Sequence, residues 1–256
     1  MSIDRRTFLK LALAAVSTPS LLASSGVQSA TKTRFSAVVF DAFPVFDPRP
    51  IFGLAEQLFP GKGAELSNVW RTRQFDYQWL SALAEHYTDF WAATENSLVF
   101  AAEMLRLELS DEKRAQLMQA YLSMKAWPDV PPALSTLKQS GVRLALLSNM
   151  TSKMLNANIA SAGLEDTFEA VLSTDQERSY KPAPRAYKMA LDALGLQREE
   201  ILFAPFAGWD VAGAKWFGYP TFWVNRLDLP AERLGVAPDA VGRNLADLVH
   251  FTSSSG

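Results

Sequence analysis

The chain has 256 residues, 48% apolar and 20% charged, with a formal net charge of −2 at pH 7. That is the balance of an ordinary soluble globular protein, and it lacks the basic surface that a nucleic-acid partner requires. Cysteine is absent and His86 and His250 are the only histidines, so disulfides and thiolate metal sites are excluded. His-based zinc or Ser-His-Asp chemistry has little material, which leaves carboxylates, Lys, Arg and hydroxyls to carry any reaction.

In chain order, residues 1–30 (MSIDRRTFLKLALAAVSTPSLLASSGVQSA) run from a basic start through a modest apolar stretch to a small-residue tail, the anatomy of a signal peptide. Ser17, Thr18 and Pro19 break the apolar stretch, which is too short and polar to stay in a bilayer. Arg5 and Arg6, followed by Phe8, Leu9 and Lys10, resemble the bacterial twin-arginine export signal. That resemblance implies the twin-arginine machinery as a partner, cleavage near Ala30 and a periplasmic mature protein.

A buried strand is predicted over RFSAVVF (34–40), followed at once by Asp41. A short helix at PIFGLAEQLFPG, a helix from Glu65 to about His86, and helices over 90–107 and 111–124 come next. After a loop and a helix in WPDVPPALSTLKQSG, strand and helix alternate: VRLALLSN, SKMLNANIASAG, FEAVLST, APRAYKMALDALG, EEILFAP, WDVAGAKWFG and PTFWVN. This alternation predicts an α/β fold, a Rossmann-like parallel sheet with helices on both faces and a helical cap inserted after the first strand. The domains expected are core at 31–48 and 126–256, and cap at 49–125.

Such sheets bind ligands at the carboxyl ends of their strands. Asp41 closes the first strand, Ser148 and Asn149 the second, Lys181 in SYKP follows the third, and Asp210 in GWD follows the fourth. Four polar motifs in this order resemble the haloacid dehalogenase superfamily. Phosphatases of that superfamily carry a second aspartate two residues after the first, where this chain has Phe43. The segments NVWRTRQFDYQWL, DFWAATENSL, SYKPAPRAY and FGYPTFWVNR narrow the resemblance to the L-2-haloacid dehalogenases, from about Arg34 to Arg226.

The resemblance implies hydrolytic conversion of short L-2-haloacids to 2-hydroxy acids through an aspartyl ester, with no metal or cofactor. Asp41 is implied as nucleophile, Arg71 as the halide-side cation, Lys181 as the partner of Asp41, and Asp210 as a residue aligning or activating water. Ser148 and the Asn149 backbone are implied at the substrate carboxylate, and Tyr187 in the polar shell. Phe43, Phe75, Phe90 and Trp209 are implied as the apolar wall around the halogen. A homodimer is implied as well. Plain alternatives stand beside these roles: a solvated Arg71, core aromatics, and Asp210 as a helix cap.

Pro44 and Val45 depart from the family's glycine and threonine, and Pro205 and Ala207 from its serine and asparagine. Two further readings therefore remain open: a hydrolase of the same fold with another small substrate, and a catalytically impaired ligand-binding protein.

Overall fold

The computed structural model describes residues 35–254, so the expected export segment lies outside the described residues. Strand β1 (Ala37–Phe40) is followed by Asp41 and a helical turn, α1 (Ala42–Val45). The chain then makes α2 (Arg49–Leu58), α3 (Gly63–Leu83), α4 (Phe90–Met104) and α5 (Asp111–Ala120). An antiparallel bridge between Phe46 and Ala126 marks where this helical excursion leaves and returns. The remainder is α6 (Val130–Gln139), β2 (Arg143–Ser148), α7 (Ser152–Ala162), β3 (Ala170–Ser173), α8 (Pro184–Leu194), β4 (Ile201–Ala204), α9 (Gly208–Phe217), β5 (Phe222–Val224), β6 (Ala240–Gly242) and α10 (Leu245–Ser254).

The sheet order is β3-β2-β1-β4, every pairing parallel. β1 is apolar at each position because both faces are covered. Val38 and Phe40 enter the apolar cluster shared with the inserted helices, while Ala37 and Val39 enter the cluster under α8 and α9. β2 and β4 alternate in the same way: Leu144, Leu146, Leu202 and Ala204 face one side, and Ala145, Leu147, Ile201 and Phe203 the other. Leu66, Trp70, Leu98 and Leu117 from the inserted helices merge with the sheet's first cluster, so cap and core share one continuous apolar interior.

The C-terminal part differs from the expected pattern. The fifth strand is not hydrogen-bonded into the main sheet over its length. β5 pairs with β6 in a separate two-stranded parallel sheet, tied to β4 through the Phe203–Thr221 bridge. β6 and α10 were not expected: three residues with Val241 exposed give no readable strand period. The α1 turn is likewise too short for helical periodicity. It exists because the Asp41 carboxylate accepts from Phe43 N at 3.4 Å and caps it.

Candidate active site

Parallel register sets Phe40 beside Leu146 and Ala204, and Ser148 beside Ser173, so the strand ends reach one edge of the sheet together. Asp41 stands at the centre of that edge and is 8% exposed. Lys181 arrives from the segment after β3, with a side chain that is almost wholly buried. Its Nζ donates to Asp41 Oδ1 at 2.9 Å and to Asp210 Oδ2 at 2.6 Å. The gap between two carboxylates, where a cation is demanded, is thus spanned by an ammonium. The Phe203 ring lies 5.2 Å from the same nitrogen.

Burial alone would lower the Lys181 pKa, but Asp210 and Asp41 outweigh it and raise it above the ordinary lysine value, so the ammonium stays charged. Burial raises the Asp210 carboxyl from 3.8 to about 6, with the Asp41 charge adding to the rise and Lys181 and Tyr187 opposing it. Asp210 is therefore ionised above about pH 6 and takes a proton below it.

Two of the expected site residues lie behind the cavity wall. Tyr187 does not line the cavity described below: it is fully buried, and its hydroxyl donates to Asp210 Oδ1 at 2.6 Å, behind the ion cluster. Burial, then the Asp210 charge, pushes its phenol well above the usual value, so it remains a neutral donor. The absence of a side chain at Gly213 makes room for this, since a Cβ there would collide with the Tyr187 hydroxyl and the Pro182 ring. Asp210 is also missing from the cavity wall. Its carboxylate oxygens accept from Tyr187 and from Lys181, and through Lys181 it is linked to Asp41. It occupies the first turn of α9, whose cap is Ala207.

The cavity over Asp41 has a volume of about 340 Å³. Asp41, Lys181, Ser148, Asn149 and Arg71 all reach it, with Phe43, Phe75, Phe90 and Trp209 in its wall. Phe75 and Trp209 meet edge to face at 5.5 Å. Ser148 Oγ accepts from Met150 N at 3.2 Å, which leaves its own hydrogen for a ligand. The Asn149 side chain is held by Gln78, Lys181 and Thr174. Arg71 projects from α3 and is exposed, over the Phe52 ring at 5.7 Å. Its charge partly offsets the burial that raises the neighbouring Tyr121 phenol to about 12.

Residues not foreseen in the wall include Phe52, Tyr121, Trp127 and Phe206. Phe206 is the second residue after β4, close to a strand end, but it is apolar and so is not selected with the polar strand-end residues. Phe52, Tyr121 and Trp127 belong to the inserted segment or its return and carry no local signal. Of the four departures from the family pattern, only Ala207 faces the cavity. Val45 is in the core, Pro205 is buried, and the Pro44 carbonyl accepts from Arg226 Nη2 at 2.7 Å. Asp47 and Arg49 form a surface pair at 2.7 Å.

A carboxylate at the floor of an apolar cavity, with a buried ammonium beside it and a guanidinium at the wall, is suited to nucleophilic displacement of an anionic leaving group. Residues 33–218 match the haloacid dehalogenase-like hydrolase family. The chain belongs to that family. It is 40% identical over 221 residues to an (S)-2-haloacid dehalogenase of Pseudomonas sp. (strain YL), covering 86% of this chain and 95% of the relative. It is 36% identical to haloacetate dehalogenase H-2 of Moraxella sp. (strain B), over 85% of this chain and 98% of that one. Among solved structures, an L-2-haloacid dehalogenase superposes with a TM-score of 0.84 at 44% identity, covering 86% of this chain and 99% of the other. The Xanthobacter autotrophicus L-2-haloacid dehalogenase with chloropropionic acid covalently bound superposes at 0.80 with 34% identity, covering 87% of this chain and all of that one (100%). As a haloacid dehalogenase-like hydrolase, the chain has the α/β fold and capping helices of these neighbours.

Proposed function

We propose that this hydrolase displaces halide from short L-2-haloacids and releases 2-hydroxy acids of inverted configuration. The observation that carries the reading is the Lys181 ammonium 2.9 Å from Asp41 at the floor of an apolar cavity that Arg71 also enters. One Asp41 oxygen attacks C2 of the substrate. The carbon–halogen bond breaks, and its electron pair leaves with the halide toward Arg71. Ser148 and the Asn149 backbone bind the substrate carboxylate, and the aromatic wall excludes bulk water from the carbon. A water oxygen then adds to Cγ of the Asp41 ester, and the bond breaks between Cγ and the Asp41 oxygen that attacked C2, which leaves as the product hydroxyl. The departing oxygen takes a proton, Asp41 returns to a carboxylate, and one proton is released for each halide. The names of the relatives support this reading, because the family resemblance spans the whole site.

Purified mature protein is expected to release chloride from L-2-chloropropionate and not from the D enantiomer. Rapid quenching should place a propionate adduct on the peptide containing Asp41. Activity should be full above about pH 6 and fall below it, because Asp210 then takes a proton and Lys181 loses one of its two anionic anchors. Absence of both halide and adduct would favour the ligand-binding reading, and hydrolysis of phosphate or acyl esters alone the other hydrolase reading.

We further infer that residues 1–30 direct export by the twin-arginine machinery, that the mature protein is periplasmic, and that it forms a homodimer. Arg5 and Arg6 ahead of an apolar stretch support export, as does a family match that begins only at residue 33. Replacing both arginines by lysine should retain the protein in the cytoplasm. Unchanged delivery to the periplasm would discard the export reading, and light scattering of the mature protein tests the dimer.

A further inference from the structure

Helix α3 carries Arg71 and, two turns further on, Gln78 and Trp79. At 1.5 Å per residue that is roughly 10 Å along the axis. Gln78 is fully buried, an unusual place for a primary amide, and both ends of its amide are engaged. Its Nε2 donates to Gln74 O at 3.0 Å, and its Oε1 accepts from Asn149 Nδ2 at 3.0 Å. The Asn149 amide is thereby turned so that its Oδ1 faces Lys181 N, which donates to it at 2.9 Å. The opposite orientation would set an amide NH₂ against a backbone N–H, two donors with no acceptor between them. Trp79, the next residue on the helix, donates its Nε1 to Lys181 O at 3.1 Å. Both backbone polar groups of Lys181 are therefore held from α3, the carbonyl directly and the N–H through Asn149. The same segment is fastened further along by Tyr87, whose hydroxyl donates to Asp175 Oδ1 at 2.9 Å, and by the Tyr180 hydroxyl on Thr88 O at 2.6 Å.

We propose that Gln78 and Trp79 are positioning residues for the displacement step: by gripping the Lys181 main chain, α3 fixes the ammonium, and with it Asp41, relative to the Arg71 that the same helix carries. The inference rests on the dehalogenase reading given above. A two-cation site of this kind works only if the cations keep their separation while the carbon–halogen bond lengthens. One continuous helix is the shortest rigid connection between them. Neither residue needs to touch substrate. Neither Trp79 nor Gln78 lines the cavity, and both ends of the Gln78 amide are bonded inside the protein.

The test uses Trp79→Phe, which deletes the N–H and keeps an aromatic ring beside Phe75 and Trp209, and Gln78→Met, which keeps length and removes the acceptor. For L-2-chloropropionate, kcat should fall about tenfold to a hundredfold in each, the scale of a misplacement near 1 Å. KM should stay at the wild-type value in Trp79→Phe and rise in Gln78→Met, because only the latter frees Asn149. A second readout does not depend on turnover. The groups facing the Lys181 ammonium are Asp41, Asp210 with its Tyr187 hydroxyl, and the Phe203 ring. When the ammonium withdraws, the Asp210 carboxyl loses its main counterion, and its midpoint, followed by ¹³C NMR, should rise above the wild-type value of about 6. Wild-type kcat and an unmoved Asp210 midpoint in both variants would overturn the proposal. So would a loss of activity that only tracks a lost folded fraction while the midpoint stays in place. If the wild-type protein itself releases no chloride, the dehalogenase reading falls, and the NMR midpoints alone decide whether α3 positions Lys181.

Discussion

Asp41→Asn should abolish halide release, with kcat lower by roughly four to six orders of magnitude, the scale seen when a covalent nucleophile is removed. The amide is isosteric and a very poor nucleophile. Its single amide oxygen can still accept from Lys181 Nζ, as the carboxylate Oδ1 does at 2.9 Å, while the amide nitrogen that replaces Oδ2 gives up the 3.4 Å bond from Phe43 N. The fold should survive, because the substitution leaves one buried ammonium facing one buried carboxylate where it previously faced two. Since the Asp41 charge helps to raise the Asp210 pKa, its removal should let Asp210 titrate below about 6. A halide electrode, far-UV circular dichroism and a denaturation curve check these points. Substantial chloride release by a correctly folded Asp41→Asn protein would remove Asp41 from the mechanism.

Lys181→Met should damage both activity and stability. Lys181 is 1% exposed, and the substitution strands Asp41 and Asp210 together without a cation in a region that excludes water. Breaking a buried ion pair from one side typically costs about 3–5 kcal/mol, because the remaining charge is uncompensated. The variant can relieve this by protonating a carboxyl, which fixes the sign of its pH dependence. Asp210 already has a folded pKa raised from 3.8 to about 6, and without its ammonium that value climbs further. A carboxyl of this kind stabilises the fold fully below its unfolded pKa and loses that contribution as pH rises through the folded one. The urea midpoint of Lys181→Met should therefore increase as pH is lowered from 8 toward 5, and its deficit against wild type should be largest at the alkaline end. Activity should be lost by about a thousandfold or more, since the nucleophile has lost its preorganised cation. A variant as stable as wild type at pH 8, or one whose stability falls on mild acidification, would contradict this account of the cluster.

Much of the site was legible in the sequence because a parallel α/β sheet converts position along the chain into position in space. Once FSAVVF, LALLS and ILFA are read as buried strands, their carboxyl ends must share one edge, and Asp41, Ser148 and the residues after β4 must be neighbours. Alternation of strand and helix pointed to the order of the core elements, and the family resemblance carried by the strand-end motifs implied the class of reaction. What the chain could not reveal by pattern is which of those polar groups faces the cavity and which lies behind another. Asp41 and Lys181 are 140 residues apart, and no local periodicity records that the ammonium stands between Asp41 and Asp210. The resemblance implied Tyr187 in the polar shell and Asp210 beside a water, and only the packed structure shows the Tyr187 hydroxyl, fitted over Gly213, bonded to Asp210. The grip of Gln78 and Trp79 on Lys181 follows from how the inserted helices seat on the core. That seating comes from the shared apolar interior of Leu66, Trp70 and Leu98 with the sheet, and hydrophobic burial is non-directional. Sequence therefore specified which side chains would be buried and which strand ends would meet, and only the tertiary structure decided the angles and contacts that sort those side chains into reacting, supporting and wall residues.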